Sequence, residues 1–170
     1  MIIEQFFKEI LMQVDIGIDN KDRDAVNVIL NQILADEMAL YVKTLNYHWN
    51  LVGPDFDALH ALFKKQYEAL FDIVDLVAER IRTLGGFPLA SLIEFSQKTR
   101  IKEDLIAVRK TQSQMLEQLL KDHEAITKSV RLEILRVQDD HKDLGTANML
   151  TDNLLEVHEK IAWMLRAFFV

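Results

Sequence analysis

Apolar residues recur at steps of three and four along four long stretches of the chain, which is the spacing of amphipathic α-helices rather than of β-strands. Gly and Pro residues interrupt the chain at only four places and limit the helical intervals to 18–52, 55–84, 89–144 and 146–170. The repeating positions are Leu30, Leu34, Met38, Tyr41 and Leu45; Phe56, Leu59, Phe63, Tyr67, Leu70, Val74, Val77 and Ile81; Leu105, Val108, Met115, Leu119, Ile126 and Val130; and Ala147, Leu150, Leu154, Val157, Ile161, Leu165 and Phe168. Four such stripes are buried together in a four-helix bundle.

The third interval is too long for one ordinary helix, and it contains a polar stretch at residues 96–100. We therefore expect a short helix near residues 90–95 and a long helix that starts near residue 102. The predicted fold is an all-α four-helix bundle, formed by residues 16–170, with a short helix between the second and third long helices. Paired apolar residues in the N-terminal extension, residues 1–15, fit a further short helix on the outside of the bundle or on a neighbour.

Composition removes several classes of function. With 170 residues, 49% of them hydrophobic and 28% charged, the chain is one ordinary soluble domain. The absence of cysteine excludes disulfides and thiolate chemistry and is compatible with the cytosol. A net charge of -7 is the wrong sign for neutralising phosphates, so direct DNA binding is not expected. The N-terminal residues have no basic region and no uninterrupted apolar run, so neither a signal peptide nor a membrane span is expected.

Two histidines flank the predicted turn between the first and second helices. His48 extends the apolar stripe of the first helix, and His60 follows the turn at Gly53-Pro54. If that dipeptide closes a helical hairpin, the two imidazoles lie at similar heights and approach one site. The alternative is that His48 is a hydrogen-bonded core residue and His60 a surface residue. No nucleophile elbow or phosphate-binding glycine loop competes with this candidate site.

The second helix also carries a line of polar residues in which Asp75 and Glu79 form an i,i+4 pair of oxygen ligands. The alternative is a solvated helix face. His60 and Asp75 are fifteen residues apart, or roughly 22 Å along a helix, so they cannot serve one metal within one chain. They can meet only across a two-fold dimer, which would carry two equivalent sites. No glutamate is followed three residues later by histidine, which disfavours a di-iron centre inside the bundle.

Four segments of the chain resemble the Dps family of mini-ferritins, the DNA-binding proteins from starved cells. The resemblance runs from about residue 15 to the C-terminus and identifies the fold as ferritin-like. The segments are IGIDNKDRDAV at 16–26, TLNYHWNLVGPDFDALHALF at 44–63, DLVAERIRTLGG at 75–86 and VHEKIAWMLRAF at 157–168.

The resemblance implies a hollow, cytoplasmic homododecamer that oxidises ferrous iron at two-fold interfaces, with hydrogen peroxide preferred over dioxygen. Ferric iron would be stored inside, protecting the cell and its DNA. His48 and His60 of one subunit would face Asp75 and Glu79 of its mate, with Glu79 bridging. Trp49 is a candidate radical sink or a packing aromatic.

Lys64 departs from the family pattern, which has Asp or Glu four residues after the second histidine. Because an ammonium group has no lone pair and repels a dication, we expect one tight metal per site. Lys64 would fill the second position by pairing with Asp75 or Glu79, or Asp57 would partly substitute for the missing ligand. The alternative function is a shell with an impaired site that binds zinc or another divalent ion, or a nucleoid-associated structural protein.

The remaining candidate residues are acids near the start of the last helix and three further histidines. The resemblance implies acidic three-fold iron-entry pores in this region, and the candidates to line them are Asp139, Asp140, Asp143 and Asp152. The alternative is that these acids simply favour a helix N-terminus. The histidines match no ligand spacing and are interpreted as surface or structural residues; they are His123, His141 and His158.

Overall fold

The computed structural model describes residues 14–105 and 109–169, and the regular elements in these ranges are all helical. The short helix predicted in the N-terminal extension falls on residues 1–13, outside the described part. The α-helices are α1 (Asn20–Asn50), α2 (Phe56–Thr83), α3 (Leu92–Lys98), α4 (Gln112–Leu135), α5 (Leu144–Met149) and α6 (Glu156–Arg166). A π-helical turn extends α4, and another joins α5 to α6 into one long rod.

Two antiparallel helix pairs form the bundle. In the first pair Tyr47 packs against Phe63, and Tyr41 packs against Tyr67 further along, so α1 and α2 run in opposite directions. In the second pair α4 runs antiparallel to α6. The ion pairs that show this direction join Glu124 to Arg166 and Arg131 to Glu159. The predicted all-α four-helix bundle is confirmed, and α3 is the short helix expected between the second and third long helices. None of the described helices is long and apolar enough to span a membrane.

The apolar stripes predicted from the sequence meet in one core. Each long helix contributes side chains with no exposed surface, for example Leu30, Phe63, Leu119 and Leu150. Burial of one such side chain stabilises the fold by about 1.5–3 kcal/mol. The core therefore fixes the relative rotation of the four helices, and with it the faces that carry polar groups.

The predicted start of the third long helix near residue 102 is wrong, because α4 begins at Gln112. The buried carboxylate of Asp36 accepts hydrogen bonds from the backbone N–H, Nε and Nη2 of Arg100, at 2.6, 2.8 and 2.5 Å. These bonds hold the chain after α3 against α1. Thr111 and Gln114 then form a reciprocal capping box that starts α4. Leu105, assigned to the apolar stripe of this helix, lies outside it and is 75% exposed.

A chain of hydrogen bonds crosses the apolar core. Nε2 of His158 lies 3.0 Å from a carboxylate oxygen of Glu37, and its Nδ1 lies 2.8 Å from Nδ1 of His123. All three side chains are fully buried. Only one hydrogen fits between two ring nitrogens at this distance, so one ring donates and the other accepts. Because both rings are buried and hydrogen-bonded inside the core, His123 and His158 are structural residues, one of the two roles expected from the sequence.

Stability is expected to fall in mild acid because of His123. Burial, and secondarily the neighbouring His158, hold the pKa of His123 well below its usual range. As the pH falls below about 6.5, the unfolded chain binds this proton and the folded chain does not, so the free energy of unfolding decreases by up to about 1.4 kcal/mol per pH unit. Urea unfolding at fixed chain concentration measures this free energy at each pH. A His123→Gln variant should lose less of it per pH unit than the wild type. His141→Gln, at a partly exposed site, should keep the wild-type slope; equal slopes in all three proteins would contradict this assignment.

Candidate metal centre

The turn between α1 and α2 determines how the two candidate histidines meet. Gly53 has φ +134°, a conformation that residues with a Cβ rarely adopt, and a Cβ at this position would lie 2.8 Å from the Gln112 side chain. The turn is therefore tight and is held from the side by α4. It places His48, in the last turn of α1, beside His60, in the second turn of α2.

His48 and His60 are joined by two reciprocal hydrogen bonds. Nδ1 of His48 lies 2.9 Å from the backbone carbonyl oxygen of His60, and Nδ1 of His60 lies 3.0 Å from that of His48. The two rings are stacked, with centroids 3.7 Å apart and planes inclined by 21°. The carbonyl of His48 belongs to the last turn of its helix, where no intrahelical donor remains, so the histidine bond also satisfies a free acceptor.

These bonds determine which nitrogen of each ring is free. A carbonyl oxygen only accepts hydrogen bonds, so Nδ1 of each ring must carry the hydrogen. In the neutral ring the lone pair is then on Nε2, which has no hydrogen-bond partner in the described residues for either His48 or His60. A backbone carbonyl on Nδ1 is the usual partner of a metal-binding imidazole, since it fixes the orientation of the ring.

Aromatic side chains enclose the histidine pair. Phe56 stacks on His60 at 5.0 Å, and Tyr67 meets His48 edge to face at 5.2 Å. His48 is 7% exposed in the single chain, and His60 is partly buried. The alternative interpretation is right that His48 is a hydrogen-bonded buried residue. His60, however, is partly buried and not fully on the surface. Within the described residues, Nε2 of neither ring has a hydrogen-bond partner.

The two candidate carboxylates lie at the other end of α2. Asp75 and Glu79 are both exposed. Because α2 is one unbroken helix from Phe56 to Thr83, the distance of roughly 22 Å between the levels of His60 and Asp75 stands. Within the described residues of one chain, no group of three or more His, Asp or Glu side chains is placed to hold one ion.

Lys64 follows His60 by one helical turn. Its ammonium group donates a hydrogen bond to the carboxylate of Glu68 and lies 3.4 Å from the hydroxyl oxygen of Tyr67. The hydrogen bond to Glu68, followed by that to Tyr67, raises the pKa of Lys64, so the side chain keeps its positive charge. The side chain one helical turn after His60 is thus a cation and not an oxygen ligand.

The chain is similar to known ferritin-like proteins over most of its length. Residues 28–170 match the family model of the ferritin-like domain. DNA protection during starvation protein 2 of Bacillus anthracis is 36% identical, covering 82% of this chain and 93% of that protein. The chain belongs to the Dps family of ferritin-like proteins. An uncharacterized low temperature-induced protein of Nostoc sp. is 44% identical over 92% of this chain and 86% of its own length. Among solved structures, DpsC from Streptomyces coelicolor has a TM-score of 0.88 at 29% identity, covering 94% of this chain and 92% of that one.

Other residues proposed from the Dps resemblance fall into different environments. Trp49 is 70% exposed and lines a surface cavity with Asp104 and Arg109, and it makes no ring contact with either histidine in the described structure. Asp143, proposed for an entry pore, is 2% exposed; it pairs with Arg80 at 2.9 Å and caps α5. Asp143 is therefore a structural helix cap, which agrees with the helix-terminus alternative and removes it from the pore candidates. The three other acids near the last helix are exposed.

Tyr67 is the neighbour of the centre that the sequence analysis missed. The helical pattern placed it in the apolar stripe of the second helix, because a tyrosine fits a core position there. Its spacing of seven residues from His60, two helical turns, was the available signal. The structure shows its ring against His48 and its hydroxyl beside Lys64.

The tautomers of the histidine pair can be measured directly. In ¹⁵N-histidine-labelled protein at pH 8, His48 and His60 are both expected to carry hydrogen on Nδ1, because each faces a carbonyl oxygen. Solid-state NMR of the assembled protein reports this through the nitrogen shifts, and His48→Gln and His60→Gln variants assign the two signals. Hydrogen on Nε2 of either ring would show that the reciprocal bonds are not formed.

Proposed function

We propose that this Dps-family protein oxidises ferrous iron, preferentially with hydrogen peroxide, at sites shared by two copies of the chain, and stores the ferric product inside a closed shell. The observation that carries the proposal is the pair of imidazoles whose Nδ1 atoms are held by each other's backbone carbonyls. Such a pair leaves two nitrogen lone pairs at one place. The relatives named for DNA protection during starvation support a role in oxidative stress.

The complete site combines two half-sites from different chains. His48 and His60 supply nitrogen ligands, and Asp75 and Glu79 of a second copy supply oxygen ligands. Imidazole together with carboxylate suits a first-row divalent ion such as Fe²⁺. Since the two half-sites lie on opposite ends of α2, an antiparallel two-fold pair of chains brings each histidine pair to a carboxylate pair and forms two sites.

Each group has a separate role in the oxidation. The carbonyl-bound histidines hold Fe²⁺, which is a substrate here, in a fixed direction without rearrangement of their rings. Asp75 and Glu79 carry negative charge, which favours the higher charge of Fe³⁺, and Glu79 reaches toward the second iron position. Hydrogen peroxide takes the electrons. The product then leaves for the interior of the shell as a mineral.

Protection would follow from consuming both reagents and not from covering DNA. The chain carries a net charge of -7, and this charge is multiplied in an assembly of many copies. Phosphate backbones are repelled by such a surface at physiological salt. Removing free Fe²⁺ and peroxide together prevents the formation of hydroxyl radicals, which protects DNA without contact.

Lys64 limits each site to one tightly bound iron. Its ammonium group stands at the helix position from which, in the family pattern, a carboxylate would bind a second iron. The hydrogen bond to Glu68 helps it to keep its positive charge. A nearby ammonium disfavours a second dication by Coulomb repulsion. The site therefore works on iron ions one at a time.

Mixed assemblies test whether the site is shared. One chain carries His48→Ala and His60→Ala, and the other carries Asp75→Asn and Glu79→Gln. Each variant alone should bind no Co²⁺ and should oxidise Fe²⁺ no faster than the protein-free control. In randomly mixed assemblies half of the two-fold pairs contain both chains, and one of the two sites in such a pair is intact, so about one quarter of the wild-type activity should return.

The mixed assemblies are isolated through two different peptide tags, and circular dichroism and size-exclusion chromatography verify that the variants fold and assemble. Activity is followed by ferric absorbance after anaerobic loading and addition of peroxide. Mixed assemblies that remain inactive would rule out a shared site. Wild-type protein that neither binds Co²⁺ nor oxidises Fe²⁺ would rule out the proposed function altogether.

The role of Lys64 is tested by changing the charge at this position. Lys64→Asp should raise the Co²⁺ bound at each site from about one ion to about two, because the carboxylate supplies the missing oxygen ligand. Lys65→Asp is the matched control, since it makes the same charge change at the next exposed residue of α2. Titration of the anaerobic protein distinguishes the two variants. Two equally tight ions in the wild type, or equal gains in both variants, would show that Lys64 does not limit the site.

A further inference from the structure

A row of aromatic rings leads away from the histidine pair between α1 and α2. The Tyr67 ring meets His48 at 5.2 Å, the Tyr41 ring meets Tyr67 at 6.2 Å, and Phe71 meets Tyr41 at 5.9 Å. Tyr41 and Tyr67 are both partly buried. Two oxidisable phenols, Tyr67 and then Tyr41, therefore follow one another in space behind His48, a ligand of the proposed iron site.

Within the described residues, the hydroxyl group of Tyr67 accepts a hydrogen bond and donates none. The ammonium group of Lys64 lies 3.4 Å from the phenol oxygen and 5.3 Å from the ring centroid. Lys64 is a donor only, so it occupies a lone pair of the oxygen and leaves the phenol hydrogen free. The cation that replaces an iron ligand thus contacts an oxidisable side chain.

A site with one iron has an electron-counting problem, and this step rests on the function proposed above. Cleavage of the O–O bond of hydrogen peroxide to two waters takes two electrons, whereas one Fe²⁺ supplies one. Without a second donor the other product is a hydroxyl radical, which is the species that the protein is proposed to suppress. A second electron must come from the protein when the second iron position is blocked by Lys64.

We propose that Tyr67 supplies this second electron together with its phenol proton. The O–O bond breaks; Fe²⁺ gives one electron and becomes Fe³⁺, and Tyr67 gives one electron and one proton and becomes a neutral tyrosyl radical. One further proton comes from solvent. The balance is Fe²⁺ + H₂O₂ + Tyr–OH + H⁺ → Fe³⁺ + Tyr–O• + 2 H₂O, in which charge, hydrogen and oxygen are conserved.

The next Fe²⁺ restores the phenol. It gives one electron to the radical, which takes a proton from solvent, so that Fe²⁺ + Tyr–O• + H⁺ → Fe³⁺ + Tyr–OH. The sum of the two steps is the oxidation of two Fe²⁺ by one H₂O₂. Tyr67 thus allows a site that holds one iron at a time to complete two-electron chemistry. Tyr41, whose ring contacts that of Tyr67, is a second phenol to which the radical can move.

The other aromatic residues near the centre are less suited to this role. The hydroxyl group of Tyr47 donates to Asp104, and burial, followed by Asp104, raises the pKa of Tyr47 strongly, which opposes loss of its proton. Its ring packs on Phe63 and not on a histidine. Trp49 is largely exposed and makes no ring contact with His48 or His60 in the described residues.

Freeze-quench electron paramagnetic resonance tests the inference on the assembled protein. Protein loaded anaerobically with one Fe²⁺ per site and mixed with peroxide should show a tyrosyl signal, which narrows when the protein contains ring-deuterated tyrosine. Tyr67→Phe should lose this signal and should release more hydroxyl radical to a spin trap. A second addition of Fe²⁺ should remove the signal from the wild type.

The chain has three tyrosines, so two Tyr→Phe variants besides Tyr67→Phe serve as controls for every other phenol. Tyr47→Phe and Tyr41→Phe should both retain the primary signal, and Co²⁺ binding by Tyr67→Phe should equal that of the wild type, which shows an intact site. A signal that persists in Tyr67→Phe, or that belongs to tryptophan, would overturn the inference. Normal iron oxidation without a tyrosyl signal would overturn it while leaving the proposed function standing; absence of both iron oxidation and Co²⁺ binding in the wild type would remove both.

Discussion

The pair of hydrogen bonds between His48 and His60 is the interaction on which the candidate centre depends. Each imidazole donates to the backbone of the other helix, so the bonds join α1 to α2 and at the same time fix the tautomer of both rings. Removing the His60 ring would leave the backbone carbonyl of His48, in the last turn of α1, without its partner. The turn at Gly53 makes this possible, because only a tight connection brings the end of one helix and the start of the next to the same level. Ligand orientation is therefore a property of the hairpin.

The rigidity of α2 explains why one chain holds only half of the proposed site. A continuous helix of 28 residues keeps His60 and the Asp75–Glu79 pair apart, and no bend of the backbone brings them together. The carboxylates remain exposed in the single chain, whereas the bundle core is already filled by apolar side chains and by the Glu37–His158 hydrogen bond. Iron chemistry of the proposed kind would consequently be coupled to assembly, since the proposed ligand set would be complete only where two chains meet.

The sequence predicted most of this fold because helical periodicity reports burial directly. The first two helices, expected at 18–52 and 55–84, are Asn20–Asn50 and Phe56–Thr83. The start of α4 was misplaced by ten residues because Leu105 continued the apolar spacing. The ion pair that holds Arg100 against α1, to buried Asp36, joins residues far apart in sequence and could not be seen in that spacing. The role of Asp143 could not be chosen from the sequence for the same reason, since its partner Arg80 lies on another helix. The proximity of His48 and His60 followed from the turn, but their reciprocal carbonyl bonds and the contact with Tyr67 require side-chain geometry. The meeting with Asp75 and Glu79 stays a prediction.

Lys64 links the proposed iron binding to the proposed redox role of Tyr67. Where the family pattern has a carboxylate, an ammonium changes the local charge by two units. In the proposed site this would weaken the binding of a second Fe²⁺, so that the bound iron supplies only one of the two electrons that peroxide needs. The same ammonium lies against the hydroxyl of Tyr67, which in turn packs on His48. A site that lost one iron position without gaining an electron donor would release hydroxyl radicals beside its own ligands. The phenol of Tyr67, which lies between His48 and the Lys64 ammonium, would supply the electron that the proposed one-iron site lacks for the full reduction of peroxide to water.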